Sequence, residues 1–175
     1  MDNFLAVFRK LAWPNFLILV MLQGCGVYSF TGTNISPDIK TVSIANFPNK
    51  TGLAPPTLSQ IFSEKMRDYF QRNTSLTIVN EAGDLQFEGA VVTYQISPIA
   101  PTGGVSQQAA QTRLTIAVKV KYTNTKDKDQ SFDQQFSFYA DYPQDQVLSQ
   151  VETGLIDQIS DQIVLDIFNK SVASW

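Results

Sequence analysis

Residues Arg113 to Tyr122 read RLTIAVKVKY, the strictest alternation in the chain. Leu114, Ile116, Val118, Val120 and Tyr122 fall on one side, and Arg113, Thr115, Ala117, Lys119 and Lys121 on the other. Successive side chains of a strand point to opposite faces. The stretch is therefore a strand with one face in a core and one in water, the pattern of an antiparallel sheet covered on one side. A charged turn follows from Asn124 to Asp129. Phe132, Phe136 and Phe138 then alternate with Asp133, Gln135 and Ser137, which makes the second arm of a hairpin.

Working outward, the segment Asp84 to Ile96 changes phase. Leu85 and Phe87 are apolar at odd positions, whereas Val92, Tyr94 and Ile96 are apolar at even ones. A one-residue slip exchanges the faces, so the spacing predicts a bulge near Gly89 and Ala90. Pro98 to Gln111, with Gly103 and Gly104, reads as a loop that either contacts a partner or is disordered. Upstream, residues 40–47 alternate with Val42 and Ile44 on one face, and 76–79 form a further short strand. Between them Leu58, Ile61, Phe62, Met66, Tyr69 and Phe70 recur at helical spacing, and Thr57 with Gln60 matches a capping box. Strand, helix, strand in that order predicts a parallel βαβ unit. A last helix over about 145–170 carries Leu148, Val151, Leu155, Ile159, Ile163 and Ile167 on one stripe. Single-faced strands need one covered face. The expected fold is α+β, a two-layer sandwich of about five strands in a mixed sheet with two helices packed on one face.

Composition narrows the chemistry. A hydrophobic fraction of 43% with 17% charged residues is that of a globular chain. The net charge of −3 lacks the basic field that nucleic-acid binding needs. The chain has no histidine and one cysteine, so Ser-His-Asp and Cys-His catalysis, an internal disulfide and a Cys-rich metal cage are excluded. No cofactor, metal site or catalytic residue is expected. Glu152, Asp157, Asp161 and Asp166 sit mainly off the apolar stripe of the last helix and read as solvated surface.

The lone cysteine lies in LQGC, Leu22 to Cys25, behind the basic pair Arg9 and Lys10 and the apolar run Leu11 to Leu22. That run is shorter than the about 20 residues that span a hydrocarbon core. Basic head, short apolar body and a small residue before a cut form a signal peptide. The cut region resembles the bacterial lipobox, with Gln23 a less usual filler. The resemblance implies that residues 1–24 are removed and that Cys25 is alkylated by diacylglycerol, chemistry that requires a thiolate. A buried cysteine behind an ordinary secretory signal and a short N-terminal membrane helix are the other readings. Gly26 rather than Asp after the cysteine resembles outer-membrane sorting. The first acid after Cys25 is Asp38, so no acidic cluster marks export to the cell surface, and a periplasm-facing domain is expected. The expected organisation is a signal peptide over 1–24, a lipidated tether over 25–38 and one α+β domain over 39–175.

Arg113, Lys119 and Lys121 share the solvated face of the central strand, and Lys126 and Lys128 in the turn extend the row. Such a row either meets anionic lipid phosphates or is an ordinary strand face with Asp133 as a cross-strand neighbour. The mature start CGVYSFTG at Cys25 to Gly32, the helix opening at Pro56 and Thr57, and Asp84, Leu85, Phe87, Glu88 and Gly89 followed by Tyr94 resemble the LPS-assembly lipoprotein family, the LptE-like proteins. The likeness runs from Cys25 to Trp175 and follows the family's element order. It departs at Thr31, where the family often has Arg. The resemblance implies a lipid-anchored, periplasm-facing protein of the outer membrane that catalyses no reaction. Its implied partners are an outer-membrane β-barrel translocon and lipopolysaccharide, with Arg113, Lys119 and Lys121 as the candidate lipopolysaccharide-binding residues. The other functional class open to the sequence is a generic periplasm-facing lipoprotein that binds a peptide or small ligand, or scaffolds another envelope complex.

Overall fold

A computed structural model of the chain describes residues 35–99 and 110–172. The signal segment, Cys25, most of the tether and the body of the 98–111 loop lie outside the described residues. The elements run β1 (Thr41–Ile44), α1 (Thr57–Asn73), β2 (Thr77–Val79), β3 (Leu85–Ile99), β4 (Gln111–Asn124), β5 (Phe132–Pro143) and α2 (Leu148–Val172). A 3-10 turn, Lys128–Gln130, joins β4 to β5. The five strands form one sheet in the order β2-β1-β3-β4-β5. β1 pairs in parallel with β2 and β3, while β3–β4 and β4–β5 are antiparallel. This is the mixed α+β sandwich that the periodicity predicts.

The covered face follows the alternation. Leu114, Ile116, Val118, Val120 and Tyr122 are all at most 1% exposed. They meet Leu58, Phe62, Met66 and Phe70 of α1 and Ile156, Ile159, Ile163 and Ile167 of α2 in one core. Within it an aromatic chain runs from Phe168 to Phe70, Phe87, Tyr122 and Phe132, with ring centroids 4.8–5.1 Å apart. Such tilted and edge-on pairs contribute about 0.5–1.5 kcal/mol each beyond their buried area. Outside the core Lys65 of α1 reaches Asp157 at 2.8 Å and Asp161 at 2.6 Å on α2. Two of the helix acids therefore tie the helices together rather than standing free.

Three local expectations are corrected. The capping box does not form: Pro56, at φ −57° and ψ −27°, holds the cap position without a side-chain bond. Its fixed φ already suits a helix start, and Gln60 instead donates to Glu64 at 2.9 Å. The bulge lies at Val92, between the pairs Val91–Val118 and Thr93–Ala117, not at Gly89 and Ala90. Val91 is fully buried and Val92 is the residue pushed out. Gly89 has another cause. A Cβ there would lie 2.1 Å from the Lys119 carbonyl oxygen and 2.6 Å from the Phe47 ring, so its missing side chain is what lets Phe47 lie against β3. Finally, β3 runs through Pro98 to Ile99 and β4 begins at Gln111, so the connection is shorter than 98–111. β1 has ended well before this level, which leaves Pro98 paired only with Thr112 on β4. On that free flank its missing N–H breaks no ladder bond.

Phe47 is held from both sides. Its backbone N–H donates to the Ser63 hydroxyl at 3.0 Å, and its carbonyl accepts from the Ser59 hydroxyl at 2.6 Å. The chain then continues beside β3: Val91 donates to the Pro48 carbonyl at 3.0 Å, and Lys50 donates to the Val91 carbonyl at 2.9 Å. This places residues 48–50 as a short extra rung on the flank of β3.

Candidate functional site

The helices cover one face of the sheet, and the other carries the polar halves of β3, β4 and β5. Cross-strand register fixes the neighbours there. Lys121 stands opposite Glu88 on β3 and Asp133 on β5, and Lys119 stands opposite Ala90 and Gln135. Lys119 reaches diagonally to Asp133 at 3.2 Å, and Lys121 approaches Glu88 at 3.7 Å. All four side chains are more than half exposed. Exposed pairs of this kind hold weakly, at about 0–1 kcal/mol, because water screens the attraction and the side chains lose rotamer freedom.

Arg113 is in a different place and a different state. It lies six residues from Lys119 along β4, about 20 Å at strand rise. Its Nε and Nη2 donate to the two carboxylate oxygens of Asp141 at 2.7 and 2.9 Å, and the guanidinium lies 3.5 Å over the Tyr139 ring. The bidentate fork and the aromatic face are arginine's two strong contacts. The Arg113 guanidinium holds the Asp141 carboxyl below its ordinary range, and the Asp141 contact raises that of Arg113. The three cations expected to act as one row thus divide into a loose lysine pair and a closed arginine cluster.

Lys126 turns aside to Asp84, at 3.3 Å. The same Asp84 carboxylate accepts from the backbone N–H of Lys40 at 2.9 Å and from the N–H and hydroxyl of Thr41 at 3.0 and 2.9 Å. Those bonds, the Lys40 N–H first, favour the ionised form and hold the Asp84 carboxyl well below the usual carboxylate range. Asp84 is a clasp between the starts of β1 and β3. At the other end of the sheet Tyr94 donates to the Glu152 carboxylate and joins β3 to the first turns of α2. Burial, with Glu152 second, pushes the Tyr94 hydroxyl above its ordinary range.

Around the lysine pair the open face is concave. A groove of about 290 Å³ crosses β3 and is lined by Glu88, Gly89, Ala90 and the apolar Val92 of that strand, by Pro48 on one flank, and by Lys119 and Lys121 of β4 and Asp133 of β5 on the other. Lys50 stands in its lining as well. Sequence periodicity could not have found Lys50, because only the backbone bonds between residues 48–50 and Val91 bring it to this face. Among the described residues no cluster of three His, Cys, Asp or Glu could hold a metal ion. No helix among them is long and apolar enough to cross a membrane.

Comparisons with known proteins bear on the whole domain. A family model described as LptE, lipopolysaccharide-assembly, matches residues 39–171. No individually curated protein sequence matches significantly. Among solved structures, a homologue of the neuraminyllactose-binding hemagglutinin from Helicobacter pylori superimposes with a TM-score of 0.50 at 9% identity, over 82% of this chain and 89% of that one. At that identity the likeness is one of fold. A minor lipoprotein from Acinetobacter baumannii gives a TM-score of 0.49 at 12% identity, covering 76% of this chain and 90% of its own. The rare lipoprotein B from Shewanella oneidensis gives 0.43 at 12% identity, covering 73% and 93%.

Proposed function

The chain belongs to the LptE lipopolysaccharide-assembly family, and from that premise we propose that it is an outer-membrane lipoprotein that partners a β-barrel translocon in placing lipopolysaccharide in the outer membrane. The observation that carries this reading is the family match over residues 39–171, which takes in all five strands and all but the last residue of α2. The lone cysteine supports it from outside the domain. Residues 1–24 are removed, Cys25 takes the acyl chains, and residues 25–38 tether the domain to the periplasmic side of the membrane. At about 0.8 kcal/mol per buried CH₂, several acyl chains make that attachment essentially permanent.

The domain suits a binding and assembly role. Among the described residues no helix covers its polar sheet face, and one continuous core lies behind that face. Lys119 and Lys121 are the contacts proposed for lipopolysaccharide phosphates, since their carboxylate partners hold them loosely. Arg113 contributes less, because its fork is already engaged by Asp141. The chain has no histidine, the side chain that most often serves as a general base. Depleting the protein tests the reading. Lipopolysaccharide is expected to fall at the cell surface and build up on the periplasmic side, whereas normal surface lipopolysaccharide after full depletion would overturn it. Lys119→Glu with Lys121→Glu tests the site. Unchanged lipopolysaccharide binding would make the lysine pair scaffold.

A further inference from the structure

From the groove across β3 we infer that Lys50 joins Lys119 and Lys121 in a binding subsite for a phosphoryl group, a subsite built from both flanks of the strand. Lys119 and Lys121 sit two residues apart on β4, about 7 Å at strand rise, and point the same way. Lys50 comes from the opposite flank, two strand spacings or about 10 Å from β4. Its position is fixed by the Lys50 N–H bond to the Val91 carbonyl at 2.9 Å. The turn beyond it is fixed by the Asn49 side chain, which accepts from the Thr51 N–H at 2.9 Å and hydroxyl at 2.8 Å. Lys50 is therefore delivered by an ordered frame and not by a loose loop.

The chemistry of the groove selects the ligand. Three lysines line it against two carboxylates, Glu88 and Asp133, so the lining carries a surplus positive charge. Lys50 has no ion-pair partner among the described residues, and the other two lysines hold theirs through exposed contacts of 3.2 and 3.7 Å. A tetrahedral phosphoryl group offers oxygens to both flanks at once, at about 2.8 Å from each ammonium. A carboxylate offers one oxygen fewer and a smaller charge, so it matches a three-lysine lining less well than a phosphoryl group. The bulge adds the second half of the recognition. Val92, pushed out of register and 36% exposed, puts an apolar border beside the charged centre. That border suits an ester whose phosphoryl group is bonded to a hydrocarbon or sugar body.

The subsite rests on the family reading only in placing the protein where lipid phosphates are abundant. Its test uses the full chain, isotope-labelled, in uncharged detergent micelles. Inorganic phosphate is titrated first, followed by lipid A and by phosphatidylglycerol. The amide resonances of Lys50, Val92 and Lys119 are expected to shift together. Lys50→Glu is expected to weaken phosphate binding by at least about tenfold, since it places a like charge against the ligand. Lys126→Glu, outside the groove, is expected to change it less than about twofold. Shifts with lipid A alone identify lipopolysaccharide as the source of the phosphoryl group, and shifts with both lipids identify any lipid phosphate; either supports the subsite. Silence of these amides toward all three probes, or equal binding by Lys50→Glu, overturns it. Co-purification of the β-barrel is read in parallel. A barrel retained by a chain that binds no phosphate overturns the subsite alone and leaves the assembly role standing.

Discussion

Alanine at Gly89 and alanine at Gly154 are the same chemical change, and the structure predicts opposite signs for them. At Gly89 the new Cβ would lie 2.1 Å from the Lys119 carbonyl oxygen and 2.6 Å from Phe47 Cε1. Optimal carbon contacts are about 3.5–4.0 Å, so something must move by more than an ångström. The carbonyl belongs to the β3–β4 ladder. Phe47 cannot swing aside either, because it is fully buried, lies 5.2 Å from the Phe62 ring and is fixed at its backbone by Ser59 and Ser63. Overpacking of this kind costs about 1–3 kcal/mol, and the backbone contact puts Gly89→Ala toward the upper end. The loss of chain entropy in the unfolded state returns about 0.4–1 kcal/mol, which leaves a net loss of about 2 kcal/mol. At Gly154, on the exposed side of α2, a Cβ meets nothing within 4 Å. There alanine is expected to stabilise by about 0.5–1 kcal/mol. For a chain of this size each kcal/mol moves Tm by about 2–4 °C. Thermal and urea unfolding followed by circular dichroism should therefore place Gly89→Ala about 4–8 °C below the parent and Gly154→Ala about 1–4 °C above it, with unchanged urea dependence. A Gly89→Ala protein as stable as the parent would refute the packing of Phe47 against β3.

Three further outcomes follow from individual contacts. Asp84 has a carboxyl held below its unfolded value of about 4, so the stability it adds is complete above that pH and is lost as pH falls below it. Asp84→Asn should therefore flatten the decline of Tm between about pH 5 and about pH 2, although the variant starts lower at neutral pH. Tyr94→Phe removes the hydroxyl bonded to Glu152 and should cost about 1–2 kcal/mol in urea unfolding, and Glu152→Gln combined with it should add little. Cys25→Ser should abolish acylation, and an intact mass for the parent that still includes Met1, or a free Cys25 thiol, would contradict the proposed processing.

The parts of the fold legible in the sequence are those where one residue type repeats on one face. β4 could be read directly because its covered side is apolar at every other position and its open side is not. The β3 bulge was harder, since Val91 and Val92 are both apolar and only burial tells which one the core takes. The change of phase falls between Phe87 and Val92, and Gly89 lies inside that interval without being the bulge. Its cause lies instead in a long-range contact with Phe47 that no local pattern contains. The helix start departs from the capping-box pattern because Pro56 presets a helical φ and holds the cap position itself, with no side-chain bond. The candidate site was legible in half. Lys119 and Lys121 share a face by strand periodicity alone, and that same periodicity put Arg113 with them although Asp141 and Tyr139 engage it elsewhere. Lys50 reaches the groove only through the pairing of residues 48–50 with Val91, a tertiary event that leaves no periodic trace.

The central claim, that this chain partners an outer-membrane β-barrel in lipopolysaccharide assembly, is tested most directly by affinity purification through a C-terminal tag from detergent-solubilised membranes. One large β-barrel protein is expected to co-purify in near-equal amount and to survive washing at high salt, as a broad interface does and a screened surface attraction does not. Recovery of the intact, acylated lipoprotein without any barrel would contradict the account.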